Sequence, residues 1–222
     1  MNNEESYFDG GINDDVDISS DINDTTRAGQ DKINNFNFLL TNARSLAPKI
    51  DSFLENFNQR DVDLAVVTET WLYEGSGLLR DGSVDLRLGE GVGAIHWGRE
   101  GRRGGGVGIF YRTSRIKAIG ITPKENPHEI CSALCSLRGT LRKILCIGVY
   151  LSTALDVPSA EEYLEYLSDL IHHFKSKYKD LHIVVAGDWN RADTSIALED
   201  FPSLTAVPTP PTYEDDILDI VY

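Results

Sequence analysis

Two polar residues, Asp188 and Asn190, follow the apolar run Ile183–Ala186. A run of this kind is typical of a buried strand, so both residues are predicted on one side of the loop that leaves it. A carboxylate beside an amide can hold a water molecule or a phosphate oxygen next to a divalent cation. Because Asp and Asn are also common turn residues, the pair alone does not distinguish chemistry from an ordinary turn.

Other polar residues also end or interrupt apolar runs. The full set is Asn42, Glu69, Tyr150, Asp188, Asn190 and Asp219. Ligands gather at strand ends in α/β folds, and an oxygen-rich group suits Mg²⁺ or Mn²⁺ better than zinc, which prefers Cys and His. Each member has a structural alternative as a turn residue or a strand residue. The five histidines show no metal-binding spacing.

The surrounding pattern predicts the elements that would position this group. A strand over Phe36–Thr41, a helix over Leu46–Gln59 capped by Ser45 and a strand over Asp63–Thr70 begin an α/β sheet. Further strands are predicted at Val92–Trp97, Gly105–Tyr111, Ile116–Thr122, Glu129–Leu137, Lys143–Tyr150 and Ile217–Tyr222. A capping-box pattern at Ser159 predicts a helix that ends near Lys179.

Short motifs in a fixed order connect these residues to a known family. They are Asn42-Ala43-Arg44-Ser45-Leu46, Glu69-Thr70-Trp71-Leu72, Arg103-Gly104-Gly105-Gly106-Val107-Gly108, Val149-Tyr150, Gly187-Asp188-Trp189-Asn190 and Leu218-Asp219-Ile220-Val221. By these motifs residues 33–222 resemble the endonuclease/exonuclease/phosphatase superfamily, and within it the endonuclease domain of LINE-type (non-LTR) retrotransposons. The resemblance implies a four-layer α/β sandwich of two packed, mainly antiparallel sheets with outer helices.

The resemblance also implies a Mg²⁺-dependent (or Mn²⁺-dependent) phosphodiester hydrolase, an endonuclease acting on DNA. In such an enzyme Glu69 would bind the metal, and Asp188 would orient and deprotonate the attacking water. Asn190 and Asn42 would hold the phosphate and the Asp188 carboxylate, and Tyr150 would contact a phosphate oxygen. The remaining candidates are Asp219, which would orient a histidine at the scissile phosphate, and Thr212, Arg102 and Arg103, which would contact substrate.

The sequence departs from the family pattern in three places. The histidine that Asp219 would orient belongs to a Ser-Asp-His segment one strand further on, and the sequence ends at Tyr222 before it. Leu151-Ser152 stands where Arg-Pro often follows the tyrosine, and Tyr213 stands where an arginine is common. We therefore expect a C-terminally truncated domain, a gene fragment with its last strand or strands missing and its activity impaired.

The net charge of −14 is unevenly distributed. Residues 1–30 hold eight acidic residues and one arginine, which predicts a disordered acidic tail over residues 1–32. Nucleic-acid binders are usually basic, so the acidic composition counts against DNA. The exception is the basic run Arg99–Lys117, which is either a solvated hairpin face or a phosphate contact. Gly104–Gly106 within it predicts a tight turn or a close approach of two backbones.

Two alternatives therefore stay open beside a DNA endonuclease. One is a small-molecule or lipid phosphodiesterase of the same superfamily, and the other is a non-catalytic remnant or binding module. No apolar stretch is long enough to span a membrane, and the acidic start differs from a secretory signal. Cys131, Cys135 and Cys146 are expected to be reduced core residues. We expect an intracellular monomer, with the nucleus as one possible location and a reverse transcriptase domain as a possible downstream neighbour.

Overall fold

More of the described residues lie in strands than in helices. The computed structural model describes residues 36–72, 88–98, 104–122, 128–152, 157–190, 204–205 and 219–221, and for 157–160 and 219–221 the description covers the backbone. The predicted tail at 1–32 lies outside these residues. Arg102, Arg103 and Thr212 also lie outside them, as does the side chain of Asp219.

The described elements follow the predicted order. The strands are β1 Phe38–Asn42, β2 Leu64–Thr68, β3 Val92–Trp97, β4 Val107–Arg112, β5 Ile116–Gly120, β6 Ile130–Leu137, β7 Lys143–Tyr150, β8 Leu181–Asp188 and β9 Asp219–Val221. The α-helices are α1 Ile50–Gln59 and α2 Val157–Lys177. None of the helices described is long and apolar enough to cross a membrane.

The first sheet has the strand order β1-β2-β4-β3. β1 and β2 are parallel, and β4 runs antiparallel to both of its neighbours. A parallel pair needs a crossover connection, which α1 supplies. The apolar face of α1 packs Phe53 and Phe57 on the outer side of this sheet, where the rings of Phe53 and Phe110 are 5.0 Å apart between centroids.

The second sheet has the order β5-β6-β7-β8-β9. Its strands pair antiparallel except for β7 and β8, which are parallel and joined by α2. Leu167, Leu170 and Phe174 of α2 pack with Ile147 and Val185 on the outer side of this sheet. Each sheet therefore has one parallel strand pair, and each of those pairs has its own covering helix.

The inner faces of the two sheets pack directly on each other. Their shared core contains Val66 and Val107 from the first sheet and Cys146 from the second. At Gly148 the sheets lie so close that an added Cβ would be 2.6 Å from Val107 Cγ1. The layers are α1, first sheet, second sheet and α2, which confirms the predicted four-layer sandwich of mainly antiparallel sheets.

Two local predictions were wrong. Ser45 does not cap the first helix, because its backbone is left-handed (φ 83°) and the helical segment begins with a 3₁₀ turn, Ala47–Lys49, that has no side-chain cap. Proline fits the start of such a turn because the amide hydrogen it lacks has no helical partner there. Ser159 does not open the second helix either, since α2 already begins at Val157.

The three cysteines are buried and form no disulfide, as expected of core residues. Burial raises the pKa of both Cys131 and Cys135 to about 12. Their thiols therefore stay protonated at neutral pH, and they serve as packing groups rather than nucleophiles.

Candidate active site

The two parallel strand pairs bring the candidate residues to one end of the sandwich. In the first sheet Asn42 pairs with Thr68, the residue before Glu69. In the second sheet Tyr150 pairs with Asp188, and Asp188 pairs with Asp219 of β9. Because the sheets pack face to face, residues at these ends meet across the gap between them.

Asn42 joins the carboxylates of the two sheets. Its Nδ2 donates to Glu69 Oε1 at 2.9 Å and to Asp188 Oδ2 at 3.0 Å, and its Oδ1 accepts the Arg44 amide at 3.1 Å. With the amide flipped, the Asn42 oxygen would face the carboxylate oxygens of Glu69 and Asp188, and its NH₂ group would face the Arg44 N–H. All three contacts therefore agree on the orientation, although 146 residues separate Asn42 from Asp188.

Asp188 is held by amide donors in a buried position. It is 6% exposed, and its Oδ1 accepts the Asn190 backbone amide at 3.1 Å. Burial raises the pKa of the Asp188 carboxyl, and the negative charge of Glu69 adds to this effect. The hydrogen bonds from Asn190 and Asn42 and the positive charge of Arg44 act in the opposite direction. A carboxyl with a raised pKa near a second carboxylate is the kind of group found at functional sites.

The backbone around Asp188 is fixed by a close approach of β7 and β8. At Gly187 an added Cβ would lie 1.9 Å from the carbonyl oxygen of Val149, so only glycine fits there. Trp189 is fully buried and places its side chain in the core beneath α2. Asp188 is therefore flanked by Gly187, where no side chain fits, and by the buried Trp189.

The structure places Asn190 and Tyr150 beside Asp188. Asn190 is left-handed (φ 51°), and its Nδ2 donates to the carbonyl oxygen of Leu151, so in this state it supports the loop after β7. Tyr150 is half-buried against the inter-sheet core, and its backbone amide donates to the Glu129 carbonyl at 3.0 Å. The predicted phosphate contacts of these two residues remain predictions.

Glu69 lies in a strained loop rather than at the end of a longer strand. β2 stops at Thr68 because Glu69 (φ 47°) and Trp71 (φ 56°) both adopt left-handed backbone conformations. Such conformations cost roughly 1–2 kcal/mol for a residue with a Cβ, so surrounding contacts must hold them. The Glu69 carbonyl accepts the Ser45 amide at 2.9 Å, which ties this loop to the one after β1.

Several residues near the site were missed by the sequence interpretation. Thr70 Oγ1 is 2.6 Å from His96 Nε2, and both residues are buried. Arg44 is exposed beside Asn42, and its charge acts on Asp188. The glycine-rich run was the one available signal, since Gly106 approaches Thr70 so closely that a Cβ would be 2.6 Å from Oγ1. That close approach was one of the two predictions for this run.

The donor set suits a hard cation more than a soft one. The carboxylates of Glu69 and Asp188 are both bonded to one amide group, and oxygen donors of this kind favour Mg²⁺ or Mn²⁺. Within the described residues there is no group of three or more His, Cys, Asp or Glu side chains able to hold a metal. The two carboxylates are therefore the acidic ligands that the described part of the site offers.

The family model for the Endonuclease/Exonuclease/phosphatase family matches residues 33–217. This match covers most of the chain and includes Asn42, Glu69, Tyr150, Asp188 and Asn190. The chain belongs to the endonuclease/exonuclease/phosphatase family. Members of this family are in general hydrolytic nucleases and phosphatases, so the site at the strand ends is a candidate for phosphoester hydrolysis.

Several solved structures share the fold of this chain. The endonuclease domain of TRAS1, a telomere-specific non-LTR retrotransposon, is 15% identical over 84% of this chain and 83% of that one, with a TM-score of 0.58. Mannosyl-6-phosphatase Bt3783 from Bacteroides thetaiotaomicron is 14% identical over 84% of each chain, with a TM-score of 0.59. AP endonuclease LMAP from Leishmania major is 14% identical over 71% and 56%, with a TM-score of 0.54. No curated protein sequence matches the chain.

Proposed function

We propose that this chain is a divalent-cation-dependent phosphodiester hydrolase whose substrate is DNA. The observation that carries the proposal is the double hydrogen bond from Asn42 to Glu69 and Asp188. It links Asp188 of the second sheet to Glu69, which directly follows β2 of the first, and among the described residues neither carboxylate forms an ion pair. A bound Mg²⁺ or Mn²⁺ would compensate this negative charge, and the oxygen ligands suit either ion.

Each residue has a role that follows from its contacts. Glu69, aimed by its strained loop, would hold the cation, which supplies Lewis-acid stabilisation of the charge that develops on the phosphate. Asp188 would take the proton of the attacking water, a task that its raised pKa favours because the carboxyl binds a proton more readily. Asn42 fixes the Asp188 carboxylate for this transfer. Asn190 and Tyr150 would contact phosphate oxygens from the second sheet.

The choice of DNA rests on the motif order that resembles LINE-type endonucleases. The fold alone does not choose, because the TRAS1 endonuclease domain and mannosyl-6-phosphatase Bt3783 share it. The net charge of −14 favours the alternative, a small phosphate ester. Arg112 and Arg115 of the basic run lie at the other end of the sheets, where they pair with Asp61, and Arg115 also pairs with Asp63. DNA contacts from this run would therefore come from its other members, including Arg102 and Arg103.

Metal binding tests the first part of the proposal. We expect Mn²⁺ to bind in isothermal titration calorimetry and Mg²⁺ to compete for the same site. Glu69→Gln should weaken binding by more than the roughly 10- to 100-fold that loss of an outer-shell partner costs, since a direct carboxylate ligand is lost. Asp51→Asn, which removes an exposed carboxylate on α1, is the matched control and should bind as the wild type does. A wild-type chain that binds neither ion, or an unaffected Glu69→Gln variant, would overturn the assignment.

Substrate competition tests the second part. Nicking of supercoiled plasmid is followed with Mg²⁺, with and without an excess of a small phosphodiester such as bis(p-nitrophenyl) phosphate. We expect DNA to be nicked and the small ester to be cleaved poorly and to compete weakly. Efficient turnover of the small ester with no DNA cleavage would favour the small-molecule alternative while leaving the metal site intact.

A further inference from the structure

The strained loop Glu69–Trp71 needs more than its own sequence to hold its shape. Backbone hydrogen bonds support it from two sides: Ser45 and Leu46 donate to the carbonyls of Glu69 and Thr70, each at 2.9 Å. The Thr70 amide in turn donates to the Gly106 carbonyl at 3.2 Å. These bonds fix the main chain, but Thr70 is also held through its side chain, which points into the protein.

The Thr70 hydroxyl meets a buried histidine. Thr70 Oγ1 lies 2.6 Å from His96 Nε2, which is short for a neutral hydrogen bond. Thr70 Oγ1 also accepts the Leu72 amide at 3.5 Å, so its own hydrogen is free to go to the imidazole. If the Thr70 hydroxyl donates, His96 Nε2 accepts and the ring carries its hydrogen on Nδ1.

The other side of the imidazole is unusual. His96 is 7% exposed, and Nδ1 is buried with no hydrogen-bond partner among the described residues. Burial lowers the pKa of His96 to about 3, so the ring is neutral at physiological pH. A buried polar atom left unpaired is uncommon and calls for a reason. Nδ1 is unpaired in either tautomer, so among the described residues the Thr70 hydroxyl is the ring's one hydrogen-bond partner.

Gly106 makes room for the contact. An added Cβ there would lie 2.6 Å from Thr70 Oγ1 and 3.4 Å from His96 Nε2. The Gly106 amide donates to Glu129 Oε2 at 3.0 Å, and Glu129 directly precedes β6 of the second sheet. The threonine, the histidine and the glycine therefore connect the loop of Glu69 to both sheets.

We propose that His96 is a positioning residue for the candidate metal ligand: its imidazole forms a hydrogen bond with the Thr70 hydroxyl and so fixes the strained backbone that aims Glu69 into the site. This inference rests on the proposed function, because it gives the bond a purpose in cation binding. His96 does not contact the cation or substrate in this account. It acts through Thr70, one residue from Glu69.

Mn²⁺ affinity tests the inference, with a matched control at Thr68, the last residue of β2. Thr70→Val removes the hydroxyl at nearly constant volume and should weaken Mn²⁺ binding about 10- to 100-fold, as loss of an outer-shell partner does. Thr70→Ser keeps the hydroxyl and should bind as the wild type does. Thr68→Val removes a fully buried hydroxyl two residues earlier that has no hydrogen-bond partner among the described residues, and should also leave affinity unchanged.

The histidine variants separate positioning from packing. His96→Leu fills the space without an acceptor and should lose affinity, whereas His96→Gln retains an acceptor and should recover most of it. The double variant Thr70→Val, His96→Leu should lose no more Mn²⁺ affinity than either single variant, since both changes remove the same hydrogen bond. Full affinity in Thr70→Val and His96→Leu, or costs that simply add, would overturn the inference.

A metal-free readout keeps this test separate from that of the proposed function. If the wild type binds no Mn²⁺, the proposed function fails, and hydrogen exchange decides the positioning role. The Thr70 and Trp71 amides should then exchange about tenfold faster in Thr70→Val than in Thr68→Val, because local opening becomes easier. Equal exchange in the two variants would show that the hydroxyl does not hold the loop.

Discussion

The two ends of the sandwich each bury an aspartate and give it opposite surroundings. At the end away from the site, Asp63 is 1% exposed, and its Oδ1 lies 2.7 Å from Arg115 Nη1 in an ion pair that is not aligned as a hydrogen bond. Its Oδ2 accepts the Asn37 amide at 2.9 Å. At the site end, Asp188 accepts hydrogen bonds from two amide groups, those of Asn42 and Asn190. The Asn42 amide donates at the same time to a second carboxylate, Glu69.

The difference separates a structural carboxylate, Asp63, from the proposed proton acceptor, Asp188. A buried charge that only supports the fold is stable when a direct partner neutralises it, as Arg115 does for Asp63. Asp188 is oriented by its donors, yet burial and Glu69 both raise its pKa. Its charge is therefore available to a cation or to the proton of a water molecule. Under the proposed function, the site end would give up some stability for chemistry, as functional sites commonly do.

The largest expected effect is on catalysis at Asp188. Asp188→Asn keeps the shape but removes the proton acceptor, so the rate of plasmid nicking should fall about 10²- to 10⁴-fold. In metal-free buffer at pH 7 the same variant should be at least as stable as the wild type in urea unfolding, because a buried carboxylate with a raised pKa is costly to ionise. If Asp188→Asn lowered the free energy of unfolding and left the nicking rate unchanged, Asp188 would be a structural carboxylate and the contrast with Asp63 would be wrong.

Asp63→Asn should do the opposite. It breaks the ion pair with Arg115 and leaves that guanidinium beside a neutral group, which should lower the free energy of unfolding by about 2–3 kcal/mol. Arg115 is 34% exposed, so solvent screens its charge. The expected loss is therefore no greater than the lower limit of the roughly 3–5 kcal/mol that breaking a fully buried pair costs. Mn²⁺ affinity measured well below the unfolding midpoint should not change. A weakened metal site in this variant would mean that the two ends are coupled.

His96 gives the site end a stability signature in acid. Its pKa falls from 6.5 to about 3 on folding because of burial, so the unfolded chain binds more protons between these values. Stability from this group is complete above pH 6.5 and is lost as the pH falls toward 3. Between pH 7 and pH 5 the wild type should lose about 1–2 kcal/mol that His96→Gln does not lose. Parallel urea-unfolding profiles for the two proteins would show that the imidazole is not buried as described.

The sequence predicted strands better than helix starts, and single site residues better than their contacts. β3 and β7 were predicted with their observed bounds because strong apolar runs flanked by turn residues carry their own signal. The helix starts at Ser45 and Ser159 were wrong because a capping residue is a local cue that the surrounding packing can override. Asn42, Glu69 and Asp188 were singled out as strand-end residues and through the family resemblance. Their meeting depends on which strands pair, and the residues themselves do not encode that.

The contacts that support the site could not be predicted in the same way. Thr70, in the loop after β2, and His96, on β3, are 26 residues apart, and the motif that contains Thr70 does not indicate this partner. His96 was set aside because histidine spacing was tested only against metal binding. The ion pair between Asp63 and Arg115 was missed for a related reason, since charge along a sequence does not indicate which residues meet across a sheet.

The smallest expected effect sharpens the comparison between the two arginines. Arg115 is in contact with its aspartate, whereas Arg44 is exposed and acts on Asp188 only through its charge. Arg44→Gln should therefore raise the pKa of Asp188 slightly, as followed by NMR titration of the carboxyl carbon. Salt should reduce the difference between variant and wild type, because charges in water are screened beyond about 10 Å at 0.1 M salt. Arg60→Gln is the control: Arg60 directly follows the C-terminal end of α1, and its replacement should leave the titration of Asp188 unchanged. A large, salt-independent shift in Arg44→Gln would instead indicate a direct contact, and Asp188 would then have a cationic partner like that of Asp63.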